Sequence, residues 1–287
     1  MSDEWCTKKA VADCEGLFNL LQGYLAKEAE WVFRGHSSAV WTLETAIERL
    51  RQRFDTDWKK LPEYEWKLIR EFKRRAHIYC SSPPEDSDHL EWLALLRHHG
   101  GPTRLLDFSF SPFIATYFAL KDADDACAVW AINNSWLRNE SRTFVTKHLE
   151  LGDTVWDQFR SCRDGTSFEK MFWNKRPFRF VSSANPMCLN ERLTLQQGLF
   201  LCPGDLTASF VDNLRMNGTR QHVHKIVVRF RNRNEGRAEA LARLRKMNID
   251  STTLFAGLDG FAQSLNTRFM EIGELSTRRC QTGSQLR

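Results

Sequence analysis

The chain has 287 residues, of which 42% are apolar, and these include 20 Phe and 10 Trp. This composition supports a packed core and argues against intrinsic disorder. Lys and Arg number 41 against 36 Asp and Glu, a formal net charge of +5 that permits a phosphate-bearing partner without requiring one.

Several classes of protein are disfavoured by the sequence. No apolar run approaches 18 residues and no stretch has the pattern of a signal peptide. The 8 cysteines are scattered without Cys-x-x-Cys spacing, which disfavours a zinc cluster. We therefore expect reduced thiols, a cytoplasmic location, no membrane contact and no metal.

The first half of the chain alternates helices and strands. An apolar stripe from Leu17 to Leu25 predicts a helix over 11–29, and Trp31 to Phe33 reads as a strand that Arg34-Gly35 ends. Further elements are predicted as helices over 63–80 and 88–99, a helix opened by Ser111-Pro112, and a buried strand from Cys127 to Ile132.

The second half is less regular. Strands are predicted at Phe178 to Val181, at Leu193 to Cys202 with a break at Gly198, and at His222 to Phe230. Helices are predicted after an Asp205 cap, over 235–248 and over 251–264. We expect one α+β domain over 1–287, a C-terminal helical and strand extension at about 205–270, and a frayed tail at 276–287.

A first candidate site is Phe33-Arg34-Gly35. Arg34 follows an apolar strand and cannot shed its proton, so its guanidinium needs an anionic partner. Asp107 is one candidate partner, which would make Arg34 structural, and a ligand phosphate is the other. Gly35 would let a backbone or a ligand approach closely.

A denser motif runs from His98 to Ala119. A helix beginning near Ser111 would offer free amides to a phosphate, although Ser111 could simply cap it. Arg104 could likewise simply pair with Asp107. Capping alone does not explain the crowding of polar side chains within ten residues, namely His98, His99, Thr103, Arg104 and Asp107.

A third motif runs from Asn190 to Phe200 and contains Gln196 and Gln197. Adjacent strand residues face opposite sides, so one amide would point into the core or a cleft. The alternative is an edge strand that leaves both amides partly solvated.

Together these motifs resemble the FRG domain, a bacterial and phage domain named for its Phe/Tyr-Arg-Gly motif. The resemblance covers about 31–200 and rests on four blocks: Phe33-Arg34-Gly35, His98 to Asp107, Ser111-Pro112 with the helix behind it, and Gln197-Gly198-Leu199-Phe200.

The order of these blocks is also similar, more distantly, to arginine–serine–glutamate ADP-ribosyltransferases. That similarity implies a split β-sheet core with surrounding helices, and NAD as substrate. Arg34 would hold the NAD phosphate, with Gly35, His99, Thr103 and Arg104 lining the pocket. Ser109 or Ser111 would support the nicotinamide end. Asp107 or Gln197 would meet the nicotinamide ribose, and Gln197 is neutral where the family carries a carboxylate.

The resemblance implies transfer of ADP-ribose from NAD to a nucleic acid or a protein, in a bacterial toxin or phage-defence role with a possible antitoxin partner. Basic side chains at 67–75 and at Arg229 to Arg237 favour nucleic acid, and RNA in particular, as acceptor. Two alternatives remain: a non-catalytic nucleic-acid-binding module, or a structural domain whose motif residues only hold the turn together.

Overall fold

The computed structural model describes residues 5–147, 149, 151–161, 166–173, 177–188, 190–215 and 219–269. The predicted α+β class is confirmed: helices surround a single seven-stranded sheet. The helices are α1 (Cys14–Leu25), α2 (Ala46–Arg53), α3 (Leu61–Tyr79), α4 (His89–His98), α5 (Pro112–Leu120), α6 (Asn134–Lys147), α7 (Gly152–Ser161), α8 (Thr166–Phe172), α9 (Glu191–Leu195), α10 (Phe210–Leu214), α11 (Thr219–His222), α12 (Arg233–Lys246) and α13 (Ser251–Leu254), with a further helical stretch at 258–269.

The sheet orders its strands β1-β7-β4-β2-β3-β6-β5. Its strands are β1 (Thr7–Val11), β2 (Trp31–His36), β3 (Leu106–Ser109), β4 (Cys127–Asn133), β5 (Val181–Ala184), β6 (Gly198–Pro203) and β7 (Val223–Val228). Among these described strands, only β1 and β7 pair in parallel. Because β7 lies between β1 and β4, the segment after residue 205 supplies an interior strand of the same sheet.

The sheet is nearly divided at its centre. β2 pairs with β4 along its whole length, from Trp31 to His36, but it pairs with β3 only at Phe33 and Ser109. The two strands therefore part beyond that pair. Arg34, Gly35 and His36 lie on the β2 side of the opening, and Asp107 lies on the β3 side.

Apolar side chains hold both halves in place. One core cluster joins α1, α5 and α12 to the strands β2, β4 and β7, around Phe18, Phe33 and Tyr117. A second cluster packs α4 and the helices α6 to α8 around Phe168 and Phe180. Burial of each large side chain contributes roughly 1.5–3 kcal/mol, so these clusters fix the strands that border the opening.

Most predicted elements are confirmed, with shifted ends. The helices at 11–29, 63–80 and 88–99 correspond to α1, α3 and α4, and Ser111 caps α5 as expected by accepting from the Ile114 amide. The buried strand from Cys127 is β4, and the strand predicted at His222 to Phe230 is β7.

Four predictions in the second half are wrong. The strand expected at Phe178 to Val181 begins only at Val181. Asp205 does not cap a helix: it accepts from the Thr207 amide, and Ser209 caps α10. The helix at 251–264 is interrupted at Gly257, whose φ of +92° is left-handed.

The fourth wrong prediction is the strand from Leu193 to Cys202. Asn190 accepts from the Leu193 amide and so caps α9, which occupies the first part of that range. Gln196 and Gln197 then form a turn, with Gln197 at a φ of +45°, before β6 begins at Gly198. The tail predicted to fray at 276–287 lies outside the described residues.

Candidate functional site

A cavity of about 960 Å³ opens where β2 and β3 part. We call it the cleft. Its floor includes Arg34, Gly35 and Asp107, and its walls come from α2 and its preceding loop, α4, α5 and α9. Five arginines line it against two carboxylates: Arg34, Arg49, Arg53, Arg97 and Arg192, with Glu44 and Asp107.

Arg34 lies at the floor of the cleft and contacts the facing strand. Its Nη1 donates to the Asp107 carbonyl oxygen at 2.7 Å. Because β2 and β3 part beyond the pair of Phe33 and Ser109, the backbone of β2 does not pair with this oxygen. Its Nε donates to His36 Nε2 at 3.1 Å. The side chain is 17% exposed, and burial lowers the pKa of Arg34 to about 10. Asp107 opposes this shift, whereas Arg97 and Arg49 add to it.

Asp107 is shared by two arginines. Arg97 donates to its Oδ2 from Nε at 3.0 Å and from Nη2 at 2.5 Å, and Arg34 Nη1 lies 3.7 Å from the same oxygen. Burial raises the pKa of Asp107, but Arg97 and Arg34 outweigh burial and hold the pKa below its ordinary value. The carboxylate is therefore ionised at neutral pH, and its charge is already engaged from two sides.

His36 is the last residue of β2 and belongs to the described lining of the cleft. It is buried, and its burial together with the nearby Arg34 lowers its pKa to about 3. The ring is therefore neutral at physiological pH, which leaves Nε2 able to accept from Arg34.

Gly35 is explained by helix packing. A Cβ at this position would overlap the backbone of Ala115 and Ala119 on α5. Only glycine lets α5 approach β2 this closely, and that approach brings Ala115 and Phe118 into the wall of the cleft.

The mouth of the cleft carries residues that the sequence did not single out. Glu44 lies before α2; its Oε1 accepts from Gln52 Nε2 at 3.1 Å, and its carbonyl oxygen accepts from Arg49 Nη1 at 2.9 Å. No cation within the described part of the chain forms an ion pair with the Glu44 carboxylate. Glu44 is thus the lining carboxylate whose charge is least engaged.

Arg104 and Thr103 lie outside the described lining of the cleft. The Arg104 side chain is 1% exposed, and its Nε donates to Glu65 Oε2 at 2.7 Å, while Glu65 is fully buried. Its Nη1 donates to the Phe172 carbonyl at 3.0 Å. Thr103 is buried and accepts from the Leu105 amide. Both residues hold the turn before β3 in place.

The remaining predicted residues divide between the cleft and the scaffold. Ser109 lines the cleft and donates to the Gln196 carbonyl at 2.7 Å. Ser111 caps α5, and His99 is an exposed residue at the end of α4; neither belongs to the described lining.

Gln196, not Gln197, belongs to the described lining of the cleft. Its Nε2 donates to the Leu254 carbonyl at 3.2 Å, so its amide is held by the scaffold. Gln197 is exposed, and its carbonyl accepts from the Phe110 amide. The turn that replaces the predicted strand explains this exchange.

The basic segments noted in the sequence are largely engaged. On α3, Lys67 pairs with Glu63, and Arg74 and Arg75 both pair with Glu71. Arg237 donates to the carbonyls of Leu120 and Lys121 at the end of α5, at 2.7 and 2.6 Å. Exposed Arg229 pairs with Asp125 at 3.1 Å.

Comparison with known proteins identifies one region. Residues 29–127 match the family model of the FRG domain. The chain contains an FRG domain. The FRG match includes Arg34, Glu44, Arg97 and Asp107, whereas Arg192 and Gln196 lie beyond it.

No curated protein and no solved structure matches the chain significantly.

Within the described residues, no group of three or more His, Cys, Asp or Glu side chains is arranged to hold a metal ion. None of the described helices is long and apolar enough to span a bilayer.

Proposed function

We propose that the FRG domain cleft binds NAD and transfers its ADP-ribose group to an acceptor. The observation that carries this proposal is the surplus of arginines over carboxylates in a cavity of about 960 Å³. That volume lies at the upper end of the roughly 300–1,000 Å³ typical of small-molecule sites, which suits a dinucleotide better than a single nucleotide.

The floor of the cleft favours a phosphate ligand. Burial lowers the pKa of Arg34 and of Arg49, and neighbouring arginines lower both further: Arg97 and Arg49 act on Arg34, and Arg97 acts on Arg49. The three guanidinium groups therefore repel one another. A pyrophosphate would relieve this repulsion and accept hydrogen bonds from the guanidinium donors that Asp107 leaves free. Arg34 and Arg49 are therefore assigned to the NAD phosphates.

Apolar side chains in the same cavity suit the rings of NAD. Phe33, Phe108 and Phe118 line the cleft beside the arginines. A nicotinamide or adenine ring could pack on them while the phosphates meet the floor. Ser109 lies at the same end of β3 as Phe108, consistent with the supporting role that the resemblance implies for it.

The two carboxylates receive different roles. Asp107 is tied to Arg97 and Arg34, so its first effect is to orient the arginines that hold NAD. Glu44 has no such ion pair within the part of the chain that the structure describes, and it is assigned to the nicotinamide ribose in place of the Asp107 or Gln197 expected from the sequence. An unneutralised carboxylate stabilises a developing positive charge better than a paired carboxylate or an amide.

The reaction would break the bond between ribose C1′ and the nicotinamide ring nitrogen, with the electron pair leaving on neutral nicotinamide. Positive charge then develops on C1′ and the ring oxygen, where Glu44 would act. An acceptor nucleophile bonds to C1′ and gives its proton to solvent. No metal ion takes part in this scheme.

The test is incubation of the full chain with NAD labelled separately in nicotinamide and in adenylate. We expect release of nicotinamide and recovery of the adenylate label in a macromolecule from cell lysate, with both signals lost in Glu44→Gln. A protein that neither releases nicotinamide nor binds NAD would contradict the proposal and favour the non-catalytic module.

A further inference from the structure

The charges of the cleft exceed what NAD can neutralise. Five arginines and two carboxylates leave three positive charges in the lining. NAD carries two negative phosphate groups and one positive nicotinamide ring, so it contributes a net charge of about −1. A surplus of positive charge therefore remains with NAD in place, and a second anionic partner would neutralise it.

The surplus lies at the mouth of the cleft. Asp107 engages Arg34 and Arg97 at the floor, whereas Arg53 on α2 and Arg192 on α9 are exposed. Within the described residues neither of these two arginines has a carboxylate in salt-bridge range; each instead lies over an aromatic ring, Phe54 and Phe255 respectively.

An exposed indole lies at the same mouth. Trp41 lines the cleft with 54% of its surface exposed, and its carbonyl accepts from Lys225 Nζ at 3.1 Å, which fixes the loop that carries it. Phe54, next to Arg53, is also exposed. Exposed aromatic rings beside unpaired arginines are the usual components of a surface that stacks bases and contacts phosphates.

We propose that the mouth formed by Arg53, Arg192 and Trp41 binds single-stranded nucleic acid, which is the acceptor of the reaction. This assignment rests on the proposed function for the identity of the acceptor, but the binding itself requires no NAD. An acidic peptide would meet the same arginines, whereas the exposed indole favours a ligand with flat, stackable bases.

The basic helix α3 provides the matched control. Arg74 and Arg75 are also exposed, yet both pair with Glu71, so their charges are compensated within the helix. Reversing Arg53 and Arg192 to Glu changes the net charge as much as reversing Arg74 and Arg75. A difference between the two double variants therefore reports position and not net charge.

The experiment measures fluorescence anisotropy of a labelled single-stranded RNA of mixed sequence with the full chain, without NAD, over a series of salt concentrations. For Arg53→Glu/Arg192→Glu we expect at least tenfold weaker affinity and a log–log salt slope smaller by about 1.4, because two phosphate contacts are lost and each contributes about 0.7 on a single strand. For Arg74→Glu/Arg75→Glu we expect affinity within about twofold of the unmodified chain, since those arginines make no such contact.

Trp41→Ala should weaken RNA binding about fivefold to a hundredfold with an unchanged salt slope, because stacking releases no counterions. Equal losses in both double variants, or no RNA binding at all, would overturn the proposal, as would an ADP-ribose label found only on protein. If the chain binds RNA through the mouth but does not bind NAD, the proposed RNA-binding surface stands and the proposed function is rejected.

Discussion

Arg104 and Asp107 lie in one sequence motif, but each belongs to an arginine–carboxylate set with a different environment in the folded chain. Arg104 and Glu65 are 1% and 0% exposed and satisfy each other together with backbone carbonyls. Asp107, three residues further on, is 36% exposed and shared between Arg34 and Arg97 at an open cleft. Exposure to the cleft separates the two sets: one is a closed internal pair, and the other leaves donors available to a ligand.

The largest effect should come from breaking the closed set. Arg104→Met would leave Glu65 as an unpaired buried charge and should lower the free energy of unfolding by roughly 3–5 kcal/mol. Chemical denaturation measures this loss. The double variant Glu65→Leu/Arg104→Met should recover much of it, because no buried charge is left. A single variant as stable as the unmodified chain would show that Arg104 is not closed off as described.

The next largest effect concerns Glu44, the lining carboxylate that belongs to neither set. Glu44→Gln should lower the turnover of NAD by about 10²–10³ at similar NAD affinity, because one electrostatic contact with the transition state is removed. The melting temperature should stay within a few degrees, since Glu44 is only half-buried and forms no ion pair with a cation among the described residues. If instead Asp107→Asn abolishes turnover while Glu44→Gln does not, the roles of the two carboxylates are reversed.

Arg34→Ala tests the arginine that contacts Asp107 at the floor of the cleft. We expect roughly tenfold to hundredfold weaker NAD binding, the size expected for loss of a charged hydrogen bond. Its stability loss should be smaller than that of Arg104→Met, because Arg97 still engages Asp107. Calorimetry and thermal unfolding on the same sample give both numbers. A large loss of stability with unchanged NAD affinity would make Arg34 structural as well.

The smallest effect is a dependence of stability on pH. His36 has a folded pKa of about 3 against about 6.5 unfolded, so the unfolded state binds more protons between these values. Stability contributed by neutral His36 is thus present above pH 6.5 and falls as the pH drops, by up to about 2 kcal/mol at pH 5.

His36→Gln should flatten the stability curve between pH 7 and 5, as followed by urea unfolding. The lowered pKa of Asp107 acts in the same direction, but only as the pH falls through the acid range below its unfolded value. A curve with the same slope in the variant would show that His36 does not titrate on unfolding in this window.

Much of the floor of the cleft could be predicted from the sequence. Arg34 follows an apolar strand and Asp107 lies in a dense polar motif, and both signals are local. The distinction between Arg104 and Asp107 could not be predicted, because it depends on Glu65, which is 39 residues away on α3 and reads as one charge among many on a basic helix.

The mouth of the cleft was missed for a similar reason. Glu44, Arg49 and Arg53 come from α2 and its preceding loop, and they look like ordinary exposed charges until α2 packs beside the parting strands. Gln196, and not Gln197, lines the cleft because a capped helix and a turn occupy the place where an alternating strand was expected. This displacement by one residue is decided by Asn190, the first residue of the same motif, whose side chain caps α9.

The most direct test of the central claim is calorimetric titration of NAD into the unmodified chain, with ADP-ribose and nicotinamide riboside as competitors. If the open arginine set binds pyrophosphate, NAD should bind at one site per chain, ADP-ribose should displace it, and nicotinamide riboside, which has no phosphate, should not. Absence of NAD binding, or displacement by nicotinamide riboside but not by ADP-ribose, would contradict the account.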